Sequence, residues 1–166
     1  MDGETFEARP RPGIIELLAK LAGGTTYREP LGGTSSKHGD IPAEHEMAAA
    51  VAAARRKDDP LDIGPDLIYD EACQRAAHNR RVVSAVVFAL EKGECRHMRI
   101  VRRNLQYLSI VVHCAYLRSV FGQSCQRPDG MGEGDWDALT DSAERIMGAM
   151  RDEASPRVAR FLFGRA

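Results

Sequence analysis

From Asp66 to Phe121 the chain carries no proline and one glycine, Gly93. Turn chemistry over this whole stretch is confined to a single point. Asp66 can cap a helix that runs to about Lys92, where Gly93 offers a stop. A second helix is expected from about Glu94 to Phe121, ending at Gly122. So short a connection folds the two back as an antiparallel hairpin. Each arm spans about 40 Å at a rise of about 1.5 Å per residue. Val82-Val83 and Ile110-Val111-Val112 are β-branched, but the lengths and the lack of internal turns favour helix over strand. From Leu105 to Phe121 the second arm is apolar on nearly every face, the signature of a central, buried helix.

The rest of the chain is built around that hairpin. Ile14, Ile15, Leu17, Leu18 and Leu21 recur at helical spacing between Pro12-Gly13 and Gly23-Gly24. They predict a short amphipathic helix that needs a surface to dock on. Residues 23–40 hold five Gly and five Ser or Thr, the composition of a flexible linker. Residues 42–57 read as a helix with acids at its start and Arg55, Arg56 and Lys57 at its end, an order that suits the helix dipole. Asp58-Asp59-Pro60 terminates it, and an acidic connector runs to Glu71. After a loop over 123–134, Asp135 is expected to cap a helix with Trp136, Leu139, Ala143, Ile146, Met147 and Met150 on one face. Ser155-Pro156 then reads as the cap and first residue of a separate terminal helix, held by Val158, Phe161 and Leu162. The expected fold is all-α: a helical bundle built on the long antiparallel hairpin. Residues 1–40 form a tethered arm with a short helix, and residues 41–166 form the helical domain.

The formal net charge of the 166 residues is −1, which conceals a segregation. Residues 1–71 hold 8 basic and 14 acidic residues, net −6. Residues 72–110 hold 8 basic and 2 acidic, net +6. Residues 111–166 hold 7 basic and 8 acidic, net −1. Seven of the eight central cations are Arg, suited to bidentate contact with phosphate or carboxylate. On a continuous helix Arg96, Arg99 and Arg103 share a face, with Arg102 on its flank and Met98, Val101, Leu105 and Leu108 opposite. Arg80, Arg81, Arg96, Arg99, Arg102 and Arg103 are therefore the candidate contacts for nucleic acid or for an acidic protein surface. The competing fate for the stripe is internal, neutralised by the acidic connector.

Other chemistries fail on spacing. Gly33-Thr34-Ser35-Ser36-Lys37 lacks the Gly before and the Ser or Thr after the Lys that a phosphate loop needs. Residues 82–105 match a helix-turn-helix only at Ala89 and Gly93, with Glu94, Cys95, Arg96 and His97 where core residues belong. Cys95 and His97 are two apart and His113 and Cys114 adjacent, neither a spacing that shares a helix face. A zinc site using Cys125 as well would have to reach along the second arm, about 24 Å by rise alone. Ser84, Ser109 and Ser119 lie inside helices, not on an elbow. His45-Glu46 lacks the second His of a zinc-protease helix. No catalytic residues, metal site or cofactor are expected.

No run of about 18 apolar residues exists, so no membrane span is expected. Met1-Asp2-Gly3-Glu4 has neither the basic start nor the apolar stretch of a secretory signal. The expected location is cytoplasmic, with Cys73, Cys95, Cys114 and Cys125 as reduced thiols. Cys73 and Cys114 are expected to be small core residues. The sequence thus points to a small non-enzymatic regulatory or adaptor protein that binds nucleic acid or the transcription machinery through a basic helix face. The alternative is an oligomeric assembly protein that uses the apolar second arm to associate with a second copy.

Overall fold

The computed structural model describes residues 12–23, 42–93 and 97–164. Among the described residues there is no strand, and the chain is all-α. Its helices are α1 (Pro12–Gly23), α2 (Glu44–Ala54), α3 (Gly64–Cys73), α4 (Asn79–Lys92), α5 (Met98–Arg103), α6 (Leu108–Phe121) and α7 (Glu133–Phe163). A single 3-10 turn, Leu105–Tyr107, joins α5 to α6. Of the linker expected over residues 23–40, residues 24–40 lie outside the described residues, as do the first residues of the arm, Cys95 and Arg96.

Neither expected arm of the hairpin is continuous. The first breaks between α3 and α4, where Gln74 takes a left-handed conformation at φ 53°. A residue with a Cβ adopts that region at a cost of about 1 kcal/mol or more, so something must hold it. The Gln74 side chain does: its Nε2 donates to the Glu71 carbonyl at 2.7 Å and to the Val120 carbonyl of α6 at 3.2 Å. The second arm breaks at Asn104, whose Nδ2 donates to the Ile100 carbonyl at 2.8 Å and to Asp135 Oδ2 of α7 at 2.8 Å. Both interruptions come from a polar side chain that bonds across the fold, with no glycine or proline involved.

The opposite change occurs at the C-terminal end. The two helices expected on either side of Ser155-Pro156 are one helix of 31 residues with Pro156 inside it. Pro156 is exposed, so its ring faces solvent rather than a neighbouring helix. Ser155 is buried and its Oγ donates to the Arg151 carbonyl at 2.7 Å. Arg157 donates back to Glu153 Oε2 at 2.8 Å. These side chains span the turn in which the proline leaves a main-chain bond unmade. At about 1.5 Å per residue α7 is about 46 Å long.

α7, not α6, is the central helix. It packs against all six other helices. Its sequence hides this because the buried positions are often small: Ala143, Ala154, Ser155 and Ala159, with Trp136, Leu139, Met147 and Val158 among them. α6 leaves Ser109, Ile110, Arg118 and Ser119 exposed. Two apolar clusters lie along α7. One gathers Val82, Val86 and Leu90 of α4, Val111, Val112 and Tyr116 of α6, and Leu139 and Met147 of α7. The other gathers Ile15 and Leu18 of α1, Met47 and Val51 of α2, Ile68 and Ala72 of α3, and Val158 of α7. The short N-terminal helix is thus docked. Burying Ile15 and Leu18 contributes about 3–6 kcal/mol of apolar transfer, against the entropy of ordering α1. At the far end Val158 is buried and Leu162 half-buried, while Phe161, expected to clamp the terminus, is exposed.

α3 comes unusually close to α7. A Cβ placed on Gly64 would overlap the Met150 carbonyl oxygen and stand 2.5 Å from the Ala154 Cβ. Glycine is required here by the packing.

Candidate functional site

The six arginines divide by what the fold offers them. Arg80 is exposed at the start of α4, and Arg99 and Arg102 are exposed on α5. Among the described residues these three have no carboxylate within ion-pair distance. Arg99 and Arg102 are three apart and share a face of α5. Behind them Val101 is buried and Ile100 packs on the first cluster. Arg81 and Arg103 are engaged internally. Arg81 Nε stands 3.1 Å from Asp66 Oδ2. Arg103 holds Asp135 at the start of α7 through Nε (2.7 Å) and Nη2 (2.5 Å). Arg96 lies outside the described residues. The acidic connector therefore takes one of these arginines, Arg81, and α7 takes another.

The connector's other charges build a cluster that the sequence reading did not anticipate. Asp66 and Asp70 lie one turn apart on α3, and both are fully buried. Asp66 is no helix cap: it sits inside the first turn of α3, where Arg55 Nε donates to its Oδ1 at 2.8 Å and Arg55 Nη2 reaches the same oxygen. Arg81 neutralises Oδ2 without an aligned hydrogen bond. Asp70 accepts from the Tyr116 hydroxyl of α6 at 2.5 Å and from the His78 main-chain N–H at 3.2 Å. His78 Nδ1 stands 2.7 Å from Asp70 Oδ1, and its Nε2 stands 3.0 Å from Arg55 Nη2. Nε2 also stands 3.4 Å from Asp66 Oδ1, so the ring lies between the two buried carboxylates. The Tyr69 ring meets His78 edge to face at 5.3 Å between centroids. Burial, then the bond to Asp70, holds the Tyr116 phenol far above its ordinary range, so it stays a donor.

One buried point thus joins α3, α4, α6 and the end of α2. Both imidazole nitrogens are occupied, and among the described residues no hydroxyl or thiol is hydrogen-bonded to the ring. The chemistry on offer is neutralisation and alignment of helices. A nearby pair extends it: Arg157 of α7 clamps Asp62 through Nη1 (2.9 Å) and Nη2 (2.7 Å), and the Arg56 N–H donates to Asp62 at 2.7 Å. Burial works to raise the Asp62 pKa, but these contacts outweigh it and the carboxyl is held below its ordinary value. The available sequence signal was Asp66 and Asp70 at i and i+4 among Leu67, Ile68, Tyr69, Ala72 and Cys73, carboxylates embedded in an apolar run.

The Arg103 pair carries a pH prediction. Hydrogen bonds from Arg103 and then Asn104 pull the Asp135 carboxyl down to about 2. A depressed carboxylate contributes stability that is present above its unfolded pKa and lost as pH falls through the folded value. The contribution of Asp135 is therefore whole above about pH 4 and fades toward pH 2. In Arg103→Ala the loss of stability over that window is expected to be shallower, read by urea unfolding at pH 5, 4, 3 and 2. Equal slopes in both proteins would contradict the pairing.

Among the described residues no three His, Cys, Asp or Glu side chains converge as metal ligands. Among the same residues no helix is long and apolar enough to cross a membrane. No family model, curated protein or solved structure matches the chain.

Proposed function

We propose that the chain is a non-enzymatic binding protein that docks the phosphates of a nucleic acid on Arg80, Arg99 and Arg102. The observation that carries this reading is the contrast within one basic segment. Arg81 and Arg103 are held by Asp66 and Asp135, while Arg99 and Arg102 project from α5 with no ion-pair partner among the described residues. Val101 anchors the back of α5 in the core. An exposed arginine pair on an anchored helix is suited to bidentate phosphate contact. Arginine contacts of this kind go to the phosphate backbone, so the expected mode is strongly salt-dependent and weakly sequence-dependent.

The test is the salt dependence of binding to a mixed-sequence duplex. Each phosphate contact removed is expected to lower the slope of log K against log salt by about 0.9. Arg99→Ala with Arg102→Ala should therefore flatten the slope by about twice that, with the unfolding midpoint unchanged. No measurable binding by the unaltered protein, or an unchanged slope in the variant, would overturn the reading.

Self-association is the second reading, and a different observation favours it: Leu105 is 53% exposed, Ile110 47% and Phe88 44%. Sedimentation of the same preparations addresses it. A mass that rises with concentration and falls back in Ile110→Ser supports this reading, and a strict monomer contradicts it.

A further inference from the structure

A cleft of about 230 Å³ is lined by Cys114 and Arg118 of α6, Ser124 and Cys125 of the following loop, and Trp136 and Thr140 of α7. Two of the three described cysteines meet here. Cys114 is buried, Cys125 is half-buried, and both side chains line this one cleft, where each acts on the other electrostatically. Cys73 is elsewhere, sealed in the second apolar cluster. Residues 124–127 make no main-chain hydrogen bond to another main-chain group among the described residues, so Cys125 sits on the least tied stretch of the loop. A disulfide brings the two sulfurs to about 2 Å, and Cys125, on the loop, is the side that must move. Cys114 is fixed by α6.

We propose that Cys114 and Cys125 are a reversible dithiol–disulfide pair, oxidised by a small-molecule disulfide that enters through this cleft. Cys125, the more accessible thiol, attacks one sulfur of the oxidant as thiolate. A mixed disulfide forms and one thiol leaves. Cys114 then attacks the Cys125 sulfur, the protein disulfide forms, and the second thiol leaves. Two protein thiols are oxidised, one disulfide is reduced to two thiols, and the two protons pass to the leaving groups. Burial, and then the bond with Cys125, pushes the Cys114 thiol up to about 12, which assigns it the second, intramolecular step. The Arg118 guanidinium favours its thiolate there, itself braced by Glu144 at 2.6 Å. The product staples the loop after α6 to the helix and closes one wall of the cleft.

The test uses glutathione disulfide on the folded full chain, quenched by alkylation and digested with trypsin. Cys114 and Cys125 fall on separate tryptic peptides, residues 104–118 and 119–145. The expected product is that peptide pair, cross-linked, lighter by two hydrogens and released by dithiothreitol. Cys114→Ser is expected to stop at a stable glutathione adduct on Cys125, and Cys125→Ser to leave Cys114 unmodified. The cross-link should form faster in the folded chain than in urea. A stable adduct on Cys125 of the unaltered chain, two free thiols, or equal rates in the folded and unfolded chains would each overturn the proposal.

Discussion

Asp70→Ala is expected to cost about 3–5 kcal/mol of folding stability, the cost of breaking a buried charged network from one side. Three groups lose their acceptor at once. The Tyr116 hydroxyl, the His78 main-chain N–H and the His78 ring all point at this carboxylate. Tyr116 is fully buried, so no water replaces what it loses. Each unsatisfied buried donor costs about 1–3 kcal/mol, and a domain holds only about 5–15 kcal/mol in total. Asp70→Asn keeps an acceptor oxygen and the shape, and should fall between the parent and the alanine variant. Tyr116→Phe removes one donor together with part of what it satisfied, and is expected to cost about 1 kcal/mol. Urea unfolding of the three variants gives the ranking. A cost below about 1 kcal/mol for Asp70→Ala would mean that the network contributes little.

Gly64→Ala should be destabilising by about 1–3 kcal/mol or more, although alanine is the better helix former. The added carbon would meet the Met150 main chain and the Ala154 Cβ. Neither is the flexible end of a side chain, so α3 must move away from α7. That displacement also shifts Asp66 and Asp70 on the same helix. Gly148 supplies the control. It lies inside α7, and a Cβ there meets nothing within 4 Å. Gly148→Ala is expected to stabilise by about 0.5–1 kcal/mol. Opposite signs for two glycine-to-alanine changes, read by thermal or urea unfolding, isolate packing from propensity. Equal effects would place the α3–α7 approach in error.

Most of the helices were legible in the sequence because the signals were local. The Leu and Ile periodicity of α1, the alanine run of α2 and the Gly122 stop of α6 all act within a few residues. The breaks were not, because their causes are distant. Gln74 takes a glycine-like conformation because Val120, far along the chain, accepts its side chain. Asn104 ends α5 while bonded to Asp135. Ser155-Pro156 carries the local signature of a helix start, yet the helix runs through it on an exposed proline. The charge segregation was legible in the same limited way. Counting found the basic segment. Which arginines it leaves unpaired depends on Asp66 and Asp135, carboxylates brought in by tertiary contact. The buried carboxylates of α3 were in view as part of an acidic connector. Their burial was hidden because Asp66 was read as a helix cap and its neighbours as part of a connector.

The shared helix α7 has a consequence for how the molecule comes apart. Two apolar clusters at opposite ends of a chain this size could open as independent cooperative units, each with its own protection against exchange. Here both are lined by one 31-residue rod that cannot lose half its partners without fraying the half that remains. The most protected amides therefore belong to the stretch of α7 between Ala143 and Ala154, where the clusters meet.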